Sequence, residues 1–520
     1  MRRRSRNRKG GLMMKKKLFY IPLRYIFAFL ITVLATLLVI GVVVGLTLHL
    51  PYFYLAALAT QIVCIVTIAA SDDNPDYKVP WLLTVLCLPV VGFMLYFMFH
   101  SRKLKRKYIN RMTALRARSY TRDDTAALAA LEAEDTTTAN QARLLCSIAD
   151  THIFAGSSTR YLPSGEAMWE AMLDDLCSAT SFIFMEYFII EEGVFWNSIL
   201  EILKKKAAAG VLVAVLYDDI GCMRTLPGGY ARQLKKYGIH AAPFSRVRGN
   251  ADSEFNNRSH RKITVIDGRI GYTGGVNIAD EYINRRARFG HWKDSGLRLE
   301  GEAVFELTKL FLIDFGITMP FPLPPRFDCF PPAKDTAPGF VVPFGDGPRP
   351  IYTRRVAKSA IQSLIAAAKH TVTITTPYLI IDNELCGTLE RAALRGVSVK
   401  IMLPHVPDKR LIFSMSRSYY PRLLSAGVKI YEYEPGFLHA KSYLADDTTA
   451  IIGTVNLDYR SLVHHFENGV WMYRTEAVNA LREDMEKTLA LSIPITEDML
   501  CISLPRKFLR SMVRVFAPLL

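Results

Sequence analysis

A histidine, a lysine and an aspartate recur at identical spacing in two parts of the chain. The first copy spans His260–Asp267 and the second spans His439–Asp446, with a lysine two residues after each histidine and an aspartate five residues after each lysine. An imidazole can attack phosphorus or carry a proton, and an ammonium group supplies fixed positive charge for phosphate oxygens. The repeated trio therefore predicts chemistry on a phosphate group.

Each trio lies on a segment that favours a β-strand. Residues 263–266 and 443–444 are mostly aliphatic, β-branched or aromatic. Alternate side chains of a strand share one face, so the histidine and the lysine of each copy point the same way. Two surface strands that carry these residues by chance are the plain alternative. The identical register of the copies, which extends to Asn277 and Asn456, argues against it.

Small and amide side chains follow each strand, and we expect them to bind substrate. Gly275 and Thr454 allow backbone N–H groups to approach an anion, while Asn277 and Asn456 add amide donors. If a pseudo-twofold axis relates the two halves, both His–Lys pairs face one phosphate. One histidine then attacks phosphorus, and the other protonates the departing alcohol and deprotonates the incoming one.

Both copies match the H-x-K-x4-D signature of the phospholipase D superfamily. The surrounding segments, NNRSHRKITVIDGRIGYTGGVNIADEYI and GFLHAKSYLADDTTAIIGTVNLDYRSL, resemble those of bacterial cardiolipin synthases. The resemblance implies phosphatidyl transfer between two phosphatidylglycerol molecules through a covalent phosphohistidine, with no metal and no cofactor. It implies a catalytic set of His260, Lys262, Asp267, His439, Lys441 and Asp446. We expect the two aspartates to brace the motif backbone rather than touch substrate.

Each catalytic histidine needs a carboxylate to orient it. Asp294 and Glu467 stand where the resembled family has such carboxylates, with surface acids as the alternative. Glu186, Tyr187 and Tyr378 lie at equivalent strand ends of the two halves, where they line the pocket or pack in the core.

The residues around the motifs differ in ways that bear on the two histidines. Arg258 precedes His260, and nearby positive charge favours the neutral imidazole that attacks. We expect Glu467 to stand beside His439 and to stabilise its charged, proton-donating form. Resembled two-motif enzymes commonly use the N-terminal histidine as nucleophile, so we assign attack to His260. His464 and His465 show no further ligand set at metal-binding spacing and are expected to be loop residues.

The charge of the chain indicates an anionic partner. The net charge of the 520 residues is +17, and the first 25 residues are strongly basic. Nucleic acid, phospholipid head groups and a membrane surface all fit this balance. Because the basic residues flank apolar runs, we expect anionic phospholipid and a membrane rather than nucleic acid. The eight cysteines show no pairing pattern and indicate reduced thiols, and nothing indicates an oligomeric state.

Three apolar runs predict membrane helices. They cover Ile26–Leu48, Pro51–Ala70 and Trp81–Phe99, contain no charged residue and reach the roughly 20 residues that span a bilayer. The basic N-terminus and the basic residues 102–107 both favour the cytoplasmic side. Two crossings satisfy both ends and three do not, so we expect either that one of the first two runs is re-entrant or interfacial, or that the basic tail lies outside. The expected location is multi-pass in the cell membrane, with a cytoplasmic catalytic core.

The remaining sequence predicts an α/β fold. The segments AAAGVLVAVLYDD and ALRGVSVKIMLPH each contain the end of a helix, a glycine and the strand that follows. They repeat one strand–helix–strand unit and indicate parallel strands covered by helices. We expect two pseudo-twofold-related phospholipase D-like α/β/α halves after the transmembrane helices. The expected divisions are 1–110 for tail and membrane helices, 111–141 for a linker helix, and 142–330 and 331–520 for the halves. The second half ends in a basic amphipathic helix that lies on lipid or packs on the core.

Other functions of the same motif stay open at this point. A phospholipid hydrolase, a phosphatidylserine synthase and a nuclease share the chemistry, and a non-enzymatic scaffold could use the pockets to hold lipid head groups. Because both copies keep their histidine and lysine, an enzyme is favoured over a scaffold.

Overall fold

The computed structural model describes residues 23–49, 51–99, 106–116, 124–246, 257–319 and 337–519. The expectations for the basic tail, for the basic residues 102–105 and for the boundary between residues 330 and 331 lie outside the described residues. The chain begins with the helices α1 (Leu23–His49), α2 (Pro51–Ala70), α3 (Pro75–Cys87), α4 (Pro89–Phe99), α5 (Arg106–Arg116), α6 (Thr125–Glu134) and α7 (Thr136–Ala149).

The third apolar run is a helical hairpin rather than one helix. Within the described residues, one helical segment, Tyr52–Ala70, is long and apolar enough to cross a membrane. The third run divides into α3 and α4 at Pro89, whose ring and missing N–H interrupt helical hydrogen bonding. Helices α1 and α2 are each continuous, whereas the third run folds back on itself; which runs cross the membrane stays a prediction.

The first half is built on a seven-stranded sheet with strand order β2-β9-β7-β6-β3-β4-β5. Strands β3, β4 and β5 are parallel, and the other neighbours are antiparallel. The strands are β2 (Ser158–Leu162), β3 (Phe182–Tyr187), β4 (Leu212–Asp218), β5 (His240–Phe244), β6 (Lys262–Ile266), β7 (Ile270–Gly274) and β9 (Gly296–Glu300). The helices are α8 (Gly165–Ser178), α9 (Val194–Ala208), α10 (Tyr230–Lys235) and α11 (Val304–Thr318).

The second half is built on a nine-stranded sheet with strand order β1-β10-β19-β17-β16-β11-β13-β14-β20. The strands are β1 (Phe154–Gly156), β10 (Ala337–Asp346), β11 (Thr371–Thr375), β13 (Ser398–Pro404), β14 (Lys429–Tyr433), β16 (Ser442–Ala445), β17 (Thr449–Gly453), β19 (Glu467–Tyr473) and β20 (Ser492–Pro494). The helices are α12 (Val356–Ala367), α13 (Asn383–Leu394), α14 (Arg410–Ser416), α15 (Tyr420–Ser425), α16 (Glu476–Ala490) and α17 (Leu504–Val515). Two further pairs are β8 (His291–Lys293) with β15 (Gly436–Leu438) and β12 (Leu379–Ile380) with β18 (Leu457–Asp458).

The two sheets repeat one topology, which confirms the predicted α/β fold. The order β2-β9-β7-β6-β3-β4-β5 corresponds strand by strand to β10-β19-β17-β16-β11-β13-β14. The directions also correspond, since β6 is antiparallel to both neighbours and β16 is antiparallel to both of its own. The motif strands β6 and β16 therefore occupy equivalent central positions.

The halves are interlocked rather than merely adjacent. One hydrophobic core contains Phe184 and Ile263 of the first sheet together with Leu444 and Val470 of the second. The edge strand β1 belongs to the second sheet although it lies within residues 142–330, which were expected to form the first half. Helices α6 and α7 contribute buried residues to the core of the second half, so the segment expected to be a linker is packed there. This interlocking holds the two motif strands in a fixed relation.

Candidate active site

The two motif histidines lie in one cavity. His260 lies two residues before β6, and His439 lies three residues before β16. Both line a cavity of ≈ 340 Å³ whose wall is contributed by both halves. Aromatic rings surround the histidines, with Phe188 against His260 at 5.2 Å and Trp292 against His439 at 5.3 Å between ring centroids. The fold thus unites the two motifs in a partly apolar pocket.

Each histidine is held by a carboxylate from the opposite half. Nδ1 of His260 lies 2.9 and 3.0 Å from the two carboxylate oxygens of Glu467. Nδ1 of His439 lies 2.6 Å from a carboxylate oxygen of Asp294. Both carboxylates are fully buried. The expected pairing of Glu467 with His439 is wrong, because the two pairs are crossed.

Backbone pairing between the halves produces this crossing. Strand β15 pairs in parallel with β8 and ends one residue before His439, opposite the residue that precedes Asp294. In the same way Ser259 pairs with Phe466, one residue before the other histidine and its carboxylate. The backbone N–H of His439 donates to Lys293 O at 2.7 Å, and that of the first histidine donates to Phe466 O at 2.8 Å. Each orienting carboxylate is therefore delivered by the partner half in fixed register.

The motif lysines lie directly beneath the histidines. Both are fully buried, and neither lines the cavity wall. Nζ of Lys262 donates to His260 O at 2.7 Å, and Nζ of Lys441 lies 2.7 Å from Nδ1 of His439. Burial lowers the pKa of Lys262 to about 7, assisted by the charge of Lys441. Burial likewise lowers the pKa of Lys441 to about 8.

Burial also favours the neutral form of the two histidines. It lowers the pKa of His260 to about 3 and that of His439 to about 4, although each carboxylate partner opposes the shift. Burial disfavours ionised Asp294, yet the charges of His439 and Lys441 bring its pKa below the ordinary value. Each histidine therefore starts as a neutral ring with an ionised carboxylate behind it.

The two motif aspartates lie away from the cavity. Asp267 accepts hydrogen bonds from the backbone N–H groups of residues 181 and 182 at 2.7 and 2.8 Å. Asp446 accepts them from the N–H groups of residues 369–371 at 2.6 to 2.9 Å. Both aspartates have positive φ, 53° and 49°, in the turn that ends each motif strand. They anchor the strand that follows each helix, so their grouping with the catalytic residues is corrected to a bracing position.

Gly275 and Thr454 contact the carboxylates rather than the cavity. A Cβ at Gly275 would lie 2.0 Å from Oδ1 of Asp294, so only glycine leaves room for that carboxylate. The hydroxyl of Thr454 donates to Glu467. Their backbone N–H groups donate to Ser295 O and Asn468 O at 3.0 and 2.9 Å. The expectation that these N–H groups approach the substrate is therefore wrong, because sheet pairing uses them.

The two asparagines and Tyr378 lie at the cavity wall. The amide nitrogen of Asn277 donates to the hydroxyl of Tyr282 at 2.7 Å. The amide oxygen of Asn456 is buried and has no hydrogen-bond partner among the described residues. The hydroxyl of Tyr378 donates to Asp408 at 2.7 Å. These three residues give the cavity wall polar groups.

Glu186 and Tyr187 lie one layer behind the wall. Both are fully buried, and neither lines the cavity. Glu186 accepts a hydrogen bond from the Ser259 hydroxyl at 2.5 Å, and the Tyr187 hydroxyl lies 2.7 Å from that of Thr264. They support the segment that carries the first histidine, so the structure favours core packing over cavity lining among the two expected roles.

A third histidine is present that sequence reasoning placed in a loop. Nδ1 of His465 lies 3.7 Å from Glu467, and its ring centroid lies 5.6 Å from that of His260. Donor atoms of these three residues all lie within 4.8 Å of one another, a set of a type that can hold a metal ion. The expectation that His465 belongs to no such cluster is therefore wrong. Its position two residues before Glu467 could have indicated it, because alternate strand residues share a face.

Two buried arginines near the first motif were also missed or misread. Arg258 forms an ion pair with Asp218 at 2.9 Å, so its charge is compensated and does not act on the histidine as expected. Arg261 pairs with Asp314 at 2.6 Å and donates to the Tyr352 hydroxyl at 3.2 Å, across the two halves. Both residues stabilise the frame of the site.

Comparison with known proteins gives the site a context. A family model described as cardiolipin synthase, phospholipase D-like domain, matches residues 172–288 and 361–489. A second, described as phospholipase D-nuclease N-terminal, matches residues 59–99. The matches include both histidine motifs and the hairpin region.

Individual relatives agree with the family models. Cardiolipin synthase 2 of Bacillus anthracis is 36% identical over 462 residues, which cover 86% of this chain and 88% of that protein. Cardiolipin synthase of Halalkalibacterium halodurans is 35% identical over 437 residues, which cover 81% and 84%. The crystal structure of a phosphatidylserine synthase from Haemophilus influenzae superposes with a TM-score of 0.56 at 15% identity, covering 74% of this chain and 98% of that one. The last likeness concerns the fold alone.

Proposed function

Because the chain belongs to the cardiolipin synthase family of phospholipase D-like enzymes, and is thus a phosphatidyltransferase acting on phospholipid, we propose that it joins two phosphatidylglycerol molecules into cardiolipin and glycerol. The observation that carries the proposal is the crossed pair of neutral histidines in one cavity, each backed by a carboxylate from the other half. Two equivalent histidines provide one nucleophile and one proton carrier for the same phosphate.

In the first step, Nε2 of one histidine attacks the phosphorus of phosphatidylglycerol. The bond to the head-group glycerol breaks, and the second histidine gives that oxygen its proton, so glycerol leaves. The attacking ring becomes cationic as the N–P bond forms, and the carboxylate at its Nδ1 stabilises that charge. The phosphatidyl group is then held on the enzyme as a phosphohistidine.

In the second step, the head-group hydroxyl of another phosphatidylglycerol attacks the phosphohistidine. The second histidine, now neutral, removes the hydroxyl proton, and the N–P bond breaks to release cardiolipin. The histidine that attacked returns to its neutral form, and the proton carrier has regained its proton. Splitting the transfer in two allows an alcohol, rather than water, to be the acceptor.

The charges in the pocket support the binding of a phosphodiester anion as substrate. Burial holds the pKa of both lysines and of both histidines below their ordinary values. A phosphate anion in the cavity opposes the loss of positive charge and raises these pKa values again. Binding of the anionic lipid therefore favours uptake of a proton from solvent by the second histidine before it acts as the acid.

We assign the nucleophile to His260 and acid–base transfer to His439. The assignment now rests on the pattern of the resembled two-motif enzymes, because Arg258 is compensated by Asp218 and Glu467 serves His260. In a His439→Asn variant the phosphoenzyme should accumulate with the label on His260. Recovery of the label on His439 from a His260→Asn variant would reverse the assignment.

The decisive test is incubation of the purified full chain with phosphatidylglycerol vesicles in EDTA, with cardiolipin, glycerol and phosphatidic acid all measured. We expect cardiolipin and glycerol in equal amounts. His260→Ala and His439→Ala should each abolish turnover, and the double variant should be no worse, because residues that act as a unit are not additive. His370→Ala removes an exposed histidine and serves as the control. Near-normal turnover of either single variant, or phosphatidic acid as the main product, would contradict the proposal.

A further inference from the structure

We propose that α3 and α4 form a re-entrant hairpin that enters the bilayer from the catalytic side and returns to that side. The two helices are antiparallel. The ring of Trp81 meets that of Tyr96 edge-on at 5.5 Å. A Cβ placed on Gly92 would lie 2.4 Å from Thr84 O, so glycine lets the two backbones touch. Residues this far apart in sequence meet only if the chain reverses near Pro89.

The hairpin is too short to cross a bilayer. Helix α2 has 20 residues, which is about 30 Å at 1.5 Å per residue and equals the thickness of a hydrocarbon core. Helices α3 and α4 have 13 and 11 residues, or about 20 and 16 Å. The apolar run therefore reaches only part of the way into the membrane, although its total length equals that of a spanning helix.

A polar cap closes the tip of the hairpin inside the apolar region. Pro89 has no N–H, so the carbonyl of Val85 lacks the helical bond that residue would donate. The side-chain amide of Gln61, in the middle of α2, donates to Val85 O at 2.8 Å and lies 3.4 Å from Leu86 O. Backbone carbonyls in lipid need an internal partner. Gln61 thus explains a polar residue in the spanning helix and sets the tip near the bilayer centre.

Both ends of the hairpin are held by the catalytic part. At the start, Asn74 donates to Asp382 at 2.8 Å, and Asp76 accepts from the backbone N–H of Asn383 at 2.7 Å. After the hairpin, Arg111 of α5 donates to Ile317 O at 3.4 Å, and Met112 is buried in the core shared by the halves. A full crossing would require one end on the far side of the membrane.

The C-terminal helix marks the level of the membrane surface at the hairpin base. Ala517, just after α17, is buried in the same core as Tyr77 of α3. On α17 the apolar Leu504, Phe508 and Leu509 are exposed, and basic residues lie between them. A basic amphipathic helix in this position fits an anionic lipid surface.

The hairpin settles the conflict between charge and span number. With α1 and α2 as the two crossings, the basic N-terminus, the acidic 71–76 loop and the catalytic halves all lie on one side. The basic residues that flank the membrane segments then satisfy the positive-inside rule at both ends. The second half is pinned to the bilayer through the hairpin base, which orients the cavity relative to the lipid.

The test is cysteine accessibility in a variant whose eight cysteines are replaced by serine or alanine and which retains turnover. Single reporters are Tyr52→Cys at the start of α2, Asp73→Cys in the loop, Glu486→Cys on the catalytic half, and a restored native Cys87 at the tip. Right-side-out and inside-out vesicles are treated with a membrane-impermeant maleimide, and labelling in detergent verifies that each thiol is reactive.

We expect Asp73→Cys and Glu486→Cys to be labelled from the same side, Tyr52→Cys from the opposite side, and Cys87 from neither side without detergent. Labelling of Asp73→Cys from the side opposite to Glu486→Cys, or of Cys87 from the side of Tyr52→Cys, would make the third run a full crossing and overturn the proposal. The readout does not depend on activity, so it stands apart from the assignment of the reaction.

Discussion

Replacing Glu467 with glutamine should disable a histidine of the other half. Both oxygens of Glu467 lie within 3.0 Å of Nδ1 of His260, and glutamine keeps the shape while removing the charge. The nitrophenol group of a nitrophenyl phosphodiester leaves without needing a proton donor. In a His439→Asn background the first step with this substrate therefore depends on His260 alone, and the contribution of each carboxylate is measured separately.

The size of the effect follows from the burial of the pair. Attack on phosphorus turns the imidazole into a cation, and the carboxylate behind it is fully buried. At an effective dielectric constant of about 20 and a charge separation of about 4 Å, the carboxylate stabilises this cation by about 4 kcal/mol. Glu467→Gln should therefore slow the first step about a thousandfold. Asp294→Asn should change it by about twofold at most, because its partner is already gone.

The assay is the single-turnover burst of nitrophenol with enzyme in excess, followed by isolation of the phosphopeptide. The matched control is Glu306→Gln, which removes a buried carboxylate lying 2.7 Å from His152, outside the cavity wall. A burst slowed by Asp294→Asn and unaffected by Glu467→Gln would show uncrossed pairs. It would refute the argument from β15–β8 pairing.

Three further outcomes are expected. Burial lowers the pKa of Lys262 to about 7 and that of Lys441 to about 8, so both lysines lose their charge as pH rises through this range. The value of kcat/KM for anionic lipid should therefore fall on the alkaline side. A pH profile of kcat/KM that stays flat to about pH 10 would contradict this. Gly275→Ala places a Cβ 2.0 Å from the carboxylate that orients the second histidine and should lower kcat about 10- to 100-fold, which corresponds to the loss of one charged hydrogen bond. The control Gly228→Ala, whose Cβ would have nothing within 4 Å, should leave kcat unchanged. Equal kcat values for the two variants would contradict the steric argument. Arg261→Met removes the guanidinium that pairs with the buried Asp314 and donates to Tyr352 of the second half. It should lower the free energy of unfolding by about 3–5 kcal/mol in denaturant titrations, and a denaturation midpoint equal to that of the unchanged chain would show that these buried contacts do not stabilise the fold.

The two His–Lys motifs could be predicted from the sequence because the spacing of nearby residues defines them. The His–Lys alternation at 260 and 262 predicts side chains on one face of a strand, and the repeat predicts two such strands. Strand–helix–strand repetition predicts the α/β halves, and the family models and the two equivalent sheets confirm that fold. These features need no knowledge of which distant residues meet.

The crossing of the carboxylates could not be predicted in the same way. Asp294 follows His260 by 34 residues and Glu467 follows His439 by 28, so closeness in sequence favours partners within each half. The actual partner is decided by strand pairing between halves, which no spacing inside one half encodes. The same reason places Gly275 against a carboxylate instead of the substrate.

Hydropathy did not reveal the break in the third apolar run for a related physical reason. A spanning helix and a re-entrant hairpin of equal length bury the same apolar residues, so counts of apolar residues do not separate them. What separates them is where backbone hydrogen bonding fails and what repairs it. Pro89 breaks the run at its middle, and Gln61 lies on a neighbouring helix at the depth where the freed carbonyl needs a donor. A proline in one apolar run, with an amide at matching depth in another, is therefore the pattern that distinguishes the hairpin from a crossing.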